Sequence, residues 1–157
     1  MFKRNCIRIL FILILTSAAY LIGINPDSNM LSTLFTVLSI LISIGLSIII
    51  SFDLSKIKND FFHDRILNNL KEVRNTFLIY FAVITFSYII SPKFLLQYEE
   101  STIQIYDYKI LLPNLVNNFI FSLMVFGIAY YMYNFYRLQS LKNEIDNELR
   151  KNNTVQK

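Results

Sequence analysis

The sequence predicts an all-α integral membrane protein, a four-transmembrane-helix bundle with both termini in the cytoplasm and cytoplasmic helical extensions. Three observations carry this: four long uncharged apolar runs, a lopsided placement of Lys and Arg, and hydroxyl residues in step along the apolar runs.

The chain has 157 residues, 54% of them hydrophobic, and a mean hydropathy of +0.44. A soluble domain of this size has too much surface to hide so many apolar side chains. Residues 9–24, 31–52, 76–91 and 115–136 contain no Asp, Glu, Lys, Arg or His. A helix needs roughly 17–25 residues to cross a hydrocarbon core about 30 Å thick. The second and fourth runs meet that outright. The first and third reach it with flanking residues, because Arg8, Arg74 or Lys93 can snorkel toward headgroups. The expected spans are about 8–24, 31–52, 75–92 and 115–136, in one membrane domain covering 1–157. A cytoplasmic linker (53–74), an outer loop (93–114) and a cytoplasmic tail (137–157) complete it.

Orientation follows from the basic residues. The N-terminal segment carries Lys3, Arg4 and Arg8; the linker carries Lys56, Lys58, Arg65, Lys71 and Arg74; the tail carries Arg137, Lys142, Arg150, Lys151 and Lys157. Only Lys93 and Lys109 fall elsewhere. A multi-pass membrane protein with both termini in the cytoplasm is therefore expected. The net charge of +4 is matched by an anionic inner leaflet, so membrane lipids are the expected partners and direct nucleic-acid binding is not expected. An alternative makes the first segment a signal peptide, with Ser17 and Ala19 at cleavage spacing. Hydrophobicity that continues through Tyr20, Leu21 and Ile22 favours a retained anchor.

The first loop, "NPDSN", has helix-stop and turn residues and predicts a tight hairpin between the first two helices. The linker has no Pro or Gly. Its residues Leu54, Ile57, Phe61, Leu67, Leu70 and Phe77 recur at mostly helical spacing, predicting extensions of the second and third spans with a bend near 59–64. In the outer loop, "TIQIYDYKI" alternates well enough for a strand or short hairpin, with Pro92 and Pro113 where helices stop and start. In the tail, Leu138, Leu141, Ile145 and Leu149 open a heptad seam. It would pack on the linker, on a second copy, or on a cytoplasmic protein partner.

"SILISIGLSIIIS" sets a serine at every fourth position. At about 100° per residue, Ser32, Thr36, Ser39, Ser43, Ser47 and Ser51 fall within about a third of the circumference, and Gly45 falls opposite. Thr16, Tyr20 and Gly23 share a face in the first helix, as do Thr76, Tyr80, Ser87 and Ser91 in the third. Asn114, Asn118, Ser122, Ala129 and Tyr133 share one in the fourth. Small and hydroxyl residues let membrane helices approach and hydrogen-bond, so an inward polar seam is the economical reading. A pore face is the sharper one, but the four apolar runs hold no Asp, Glu, Lys, Arg or His of the kind that marks many conduction paths. "AYYMYNFYR" reads as an aromatic interface belt, with a lipid-head or quinone site the alternative.

Cys6 is the single cysteine, so no internal disulfide is expected; it reads as a small apolar residue, with S-palmitoylation the alternative. His63 is the single histidine and Glu99–Glu100 an adjacent acidic pair; both read as solvated residues. There is no Gly-rich phosphate loop, paired Cys, metal-spaced His or Ser–His–Asp set. No enzyme activity, catalytic residue, cofactor or metal is expected.

The layout resembles small four-span bacterial membrane proteins of phage defence, the RexB-like exclusion proteins and the KwaA-like membrane subunits of Kiwa systems. The residues that carry the likeness are "MLSTLFTVLSILISIGLSIIIS", the basic linker starting "KIK", and "YMYNFYRLQSLK" leading into a charged tail. The resemblance implies an inner-membrane sensor or effector that oligomerises and changes membrane permeability or recruits a cytoplasmic partner on infection. The expected function is such an interaction or effector protein acting as a homo-oligomer; the alternatives are a small channel or transporter subunit, or an immunity protein against a pore-forming toxin.

Overall fold

The computed structural model describes the backbone of residues 2–54, 60–97, 102–105 and 108–155, and the side chains of residues 6–54, 61, 63–91 and 111–147. Four helices carry the chain, and the strand structure among the described residues is one short antiparallel pair.

α1 (Phe2–Leu21) closes at Gly23, whose φ is +78°. The Gly23 N–H donates to Tyr20 O (3.1 Å) and the Ile24 N–H to Ala19 O (3.0 Å). These are the paired reverse bonds by which a left-handed residue ends a helix, a conformation any Cβ would strain. Asp27 then opens α2 (Ser28–Ile50), accepting from the Met30 N–H at 2.8 Å and satisfying an otherwise orphaned donor. The short turn expected here is present, its stop at Gly23 and its start at Asp27, but α1 and α2 do not pack closely on each other as a tight hairpin would.

α2 ends at Ile50, capped by Ser51, so it does not extend into the linker as the apolar spacing suggested. The third helix does extend: α3 (Asp60–Gln97) is continuous across the expected linker–span boundary. It also runs through Pro92, where the sequence predicted a stop. An interior proline removes one backbone bond and crowds the preceding turn, which a membrane helix tolerates when neighbouring groups satisfy the freed carbonyl. After it, β1 (Thr102–Ile105) pairs with β2 (Tyr108–Leu111) in the register Thr102↔Leu111 and Ile105↔Tyr108. α4 (Leu112–Val155) follows directly, with Pro113 in its first turn, where a missing N–H costs nothing. At 1.5 Å per residue α3 and α4 reach about 57 and 66 Å, so neither fits inside a bilayer.

Ser28–Ile50, His63–Ser91 and Leu112–Asn147 are long and apolar enough to cross a membrane. The apolar part of α1, Cys6–Leu21, is shorter, about 24 Å of helix. Side chains such as Leu10, Ile14, Ile40, Phe86 and Ile89 lie exposed along the outside. A surface this apolar is unsuited to water and suited to lipid.

α4 is the central element and packs on α1, α2 and α3, while α2 also packs on α3. Phe11 meets Phe126 and Arg8 meets Tyr130, so α1 runs antiparallel to α4. Leu38 and Ile84 pack at Gly127, and Phe77 and Phe135 pack at Gly45. Those contacts make α2 parallel and α3 antiparallel to α4. Leu38, Phe77, Ile84, Met124 and Tyr131 form the fully buried centre. A second apolar cluster, Ile66, Leu70, Leu138 and Ile145, lies further along α3 and α4, with Phe52, Leu54 and Leu141 packed against it.

Candidate functional site

The α2 serines do not form the inward seam the sequence suggested. Ser32, Thr36, Ser43, Ser47 and Ser51 are exposed and Ser39 is half-buried. The face that meets the other helices is the opposite one, Leu31, Leu38, Ile42 and Gly45. Thr36, Ser39, Ser43 and Ser47 each donate to the carbonyl four residues earlier, at 2.9 Å. A hydroxyl satisfied on its own helix can face lipid at little cost, so its polarity did not force it inward. Ser51, at the end of the row, donates to Ile48 O and accepts from Lys142 Nζ at 3.1 Å.

The inward polar groups come instead from the other helices. Thr16 and Ser91 are buried, and Asn118 and Ser122 are fully buried. Asn118 Nδ2 donates to Asn114 O at 2.9 Å. Thr85 Oγ1, Asn117 Oδ1, Asn118 Oδ1 and Ser122 Oγ are buried without a hydrogen-bond partner among the described residues. Ala129 and Tyr133, expected on the same face, are exposed. α4 is enclosed on most sides near Asn118 and on fewer past residue 128, which separates the two halves of that face.

The aromatic run also divides. Tyr131 is fully buried, and Tyr130 packs inward on Tyr80 and Phe126. Tyr133 and Tyr136 remain exposed, so only part of the run is a surface belt. The tail seam packs within the chain: Leu138 and Ile145 are buried on Ile66 and Leu70. A partner would have to displace α3 to reach them. The side chains of Leu149, Glu99 and Glu100 lie outside the described residues.

The most distinctive arrangement surrounds Arg8, which the sequence placed at the headgroups. Arg8 Nη1 donates to Tyr80 Oη at 3.2 Å. Its guanidinium carbon lies 4.9 Å from the Tyr130 ring centre and 5.7 Å from that of Tyr80, whose own centres are 5.0 Å apart. Tyr130 precedes Arg137 by seven residues and Tyr80 follows Arg74 by six, so Arg8 sits about 10 Å inside the first charged residues of both helices. A charge at the middle of a membrane helix costs about 2.5–3.5 kcal/mol to insert, less toward its ends. Cation–π contacts return about 0.5–2 kcal/mol. Arg8 bridges a cleft of about 900 Å³ walled by α1 and α3 and floored by α4. The signal in the sequence was a basic residue directly abutting an apolar run; its partners, distant in sequence, were not readable.

His63 Nδ1 lies 3.3 Å from Asp64 Oδ1, and Cys6 is free and exposed. Among the described residues no group of His, Cys, Asp and Glu could hold a metal ion.

Fold and surface together define a helical membrane protein. No protein-family model matches the chain, and neither a curated protein nor a solved structure is significantly similar to it.

Proposed function

We propose that this chain is a non-enzymatic interaction and effector protein of the bacterial inner membrane, acting as a homo-oligomer assembled through α2. In this reading α1 also crosses the bilayer, giving four spans with both termini cytoplasmic. The basic residues clustered in the N-terminal segment, linker and tail support that orientation. The layout likeness to RexB-like and KwaA-like proteins makes phage defence the proposed setting, with a change in membrane permeability or recruitment of a cytoplasmic partner as the output.

The observation that carries the reading is the outward row Thr36, Ser43 and Ser47, with half-buried Ser39 at its edge, each hydroxyl satisfied on its own helix. Small residues at four-residue spacing let two membrane helices approach closely, and this row faces away from its own bundle. Any ion path using these serines would be enclosed between copies, because they do not line the cleft within one chain. The channel reading is thus a form of the oligomer reading.

Oxidative cross-linking in native membranes tests it. In a Cys6→Ser background, Ser43→Cys is expected to give covalent dimers, and Phe86→Cys on the exposed side of α3 is expected to stay monomeric. Equal yields at both positions, or none at Ser43→Cys, would overturn α2 as the interface.

A further inference from the structure

We propose that the cleft between α1 and α3 binds one acidic phospholipid, with its phosphodiester on Arg8 and an acyl chain along Ile12, Val83 and Leu123. The proposal shares with the function above only the embedding in a membrane; it uses a different surface.

The first support is the gap itself. α1 packs on α4 and α3 packs on α4, but α1 and α3 have no comparable contact with each other. The cleft follows this seam, with Arg8, Ile9, Ile12 and Leu13 on one wall and residues from Asn69 to Val83 on the other. A laterally open seam between membrane helices is filled by lipid.

The second is Arg8. A guanidinium has five N–H donors, and the Tyr80 hydroxyl takes one. No carboxylate among the described residues forms an ion pair with it. A guanidinium fork matches carboxylate and phosphate bidentately, and phosphate is the anion that every phospholipid headgroup carries, one that Arg8 reaches by drawing the headgroup into the cleft.

The third is the polarity gradient along the cleft. Ile12, Val83, Phe119 and Leu123 line one end with no charged residue among them, Arg8 and then Arg137 follow, and at the other end Asn69 and Ser140 stand among Leu70, Leu138 and Leu141. That order matches acyl chain, phosphate and water. Glu72 and Glu144 also line the cleft, but they lie eight and fourteen residues beyond the levels of Tyr80 and Tyr130, about 12 and 21 Å toward water. Both guanidiniums of the lining, Arg8 and Arg137, lie on the apolar side of these carboxylates, so the carboxylates do not stand at the phosphate's level. Basic recesses between membrane helices are general sites for anionic lipids.

The test is thermal unfolding of the delipidated full chain in dodecyl maltoside, with native mass spectrometry to count bound lipid. Dioleoyl phosphatidylglycerol is expected to raise the midpoint by several degrees and to bind one per chain. The phosphatidylcholine and phosphatidylethanolamine analogues and sodium phosphate are expected to do neither. Arg8→Gln should weaken phosphatidylglycerol binding at least tenfold, while Arg74→Gln, on an exposed side chain outside the cleft lining, should retain it. Should Arg8→Gln fail to fold, Val83→Trp fills the apolar end with Arg8 intact and is expected to lose the lipid equally. A response to phosphatidylethanolamine or phosphatidylcholine equal to that of phosphatidylglycerol would overturn the acidic-lipid assignment, as would a response to phosphate alone. Full binding in Arg8→Gln or Val83→Trp would overturn the site.

Discussion

Tyr131 on α4 donates its hydroxyl to the backbone carbonyl of Phe77 on α3 at 3.0 Å, and both residues are fully buried. The two rings meet edge to face with centres 4.8 Å apart. The apolar body of each ring fills the junction of α2, α3 and α4, and the one polar atom has its partner.

Removing the hydroxyl alone should therefore be mild and removing the ring severe. Tyr131→Phe loses one buried bond and frees no other group, because the Phe77 carbonyl belongs to a helix; about 0.5–1.5 kcal/mol is expected. Phe77→Ala opens a cavity at the same junction and should cost about 3–5 kcal/mol. Unfolding of detergent-solubilised protein by graded dodecyl sulfate measures both, and equal losses would mean the bond, not the packing, holds the junction.

The two core glycines should differ from each other. A Cβ on Gly45 would lie 2.6 Å from Phe77 Cε2 and closer still to Phe135 Cε1, both atoms of rigid rings. On Gly127 it would meet the tips of Ile84 and Leu38, at 2.9 and 3.3 Å, which can change rotamer. Gly45→Ala should cost about 1–3 kcal/mol from overpacking, and Gly127→Ala distinctly less. Ranked midpoints in the same dodecyl sulfate titration check the order.

Much of this architecture is legible in the sequence, and the reason some of it is not is physical. The apolar runs, a turn at Pro26 and Asp27 and Gly45 opposite the serines all follow from local rules of helix length, capping and angle, whereas the earlier stop at Gly23 was not read. Which face of α2 turns inward does not. In water an apolar stripe orients a helix, but in lipid both sides are apolar, and a serine bonded to its own carbonyl is content on either. Gly45, which only a close neighbour requires, was the better guide. Arg8 shows the other limit: snorkelling is a local expectation, whereas Tyr80 and Tyr130 reach it only through the fold.

The outward serines give a prediction in which stability and assembly separate. Ser43→Leu with Ser47→Leu removes hydroxyls that bond only within α2 and that are exposed. Stability of the single chain should change by less than about 0.5 kcal/mol, while dimer yield in chemical cross-linking falls at least tenfold. In cells challenged with phage, any collapse of membrane potential seen with the natural chain should be absent in this variant. A collapse that persists after cross-linking is lost would separate the output from α2 association.

The seam between α3 and the tail should behave as a unit distinct from the apolar bundle. Ile145 is buried on Ile66 and Leu70 beside Leu138, some 14 residues past Tyr131. An aspartate there would be desolvated opposite aliphatic side chains, a penalty large enough to separate two helices joined by a small cluster. Ile145→Asp should therefore release the tail from α3 and leave the Phe77–Tyr131 junction closed. Limited trypsin digestion should then cut at Lys142 and Arg137 many times faster than in the natural chain, with the dodecyl sulfate midpoint of the remaining bundle little changed. A joint loss of both would mean that the two clusters fold as one.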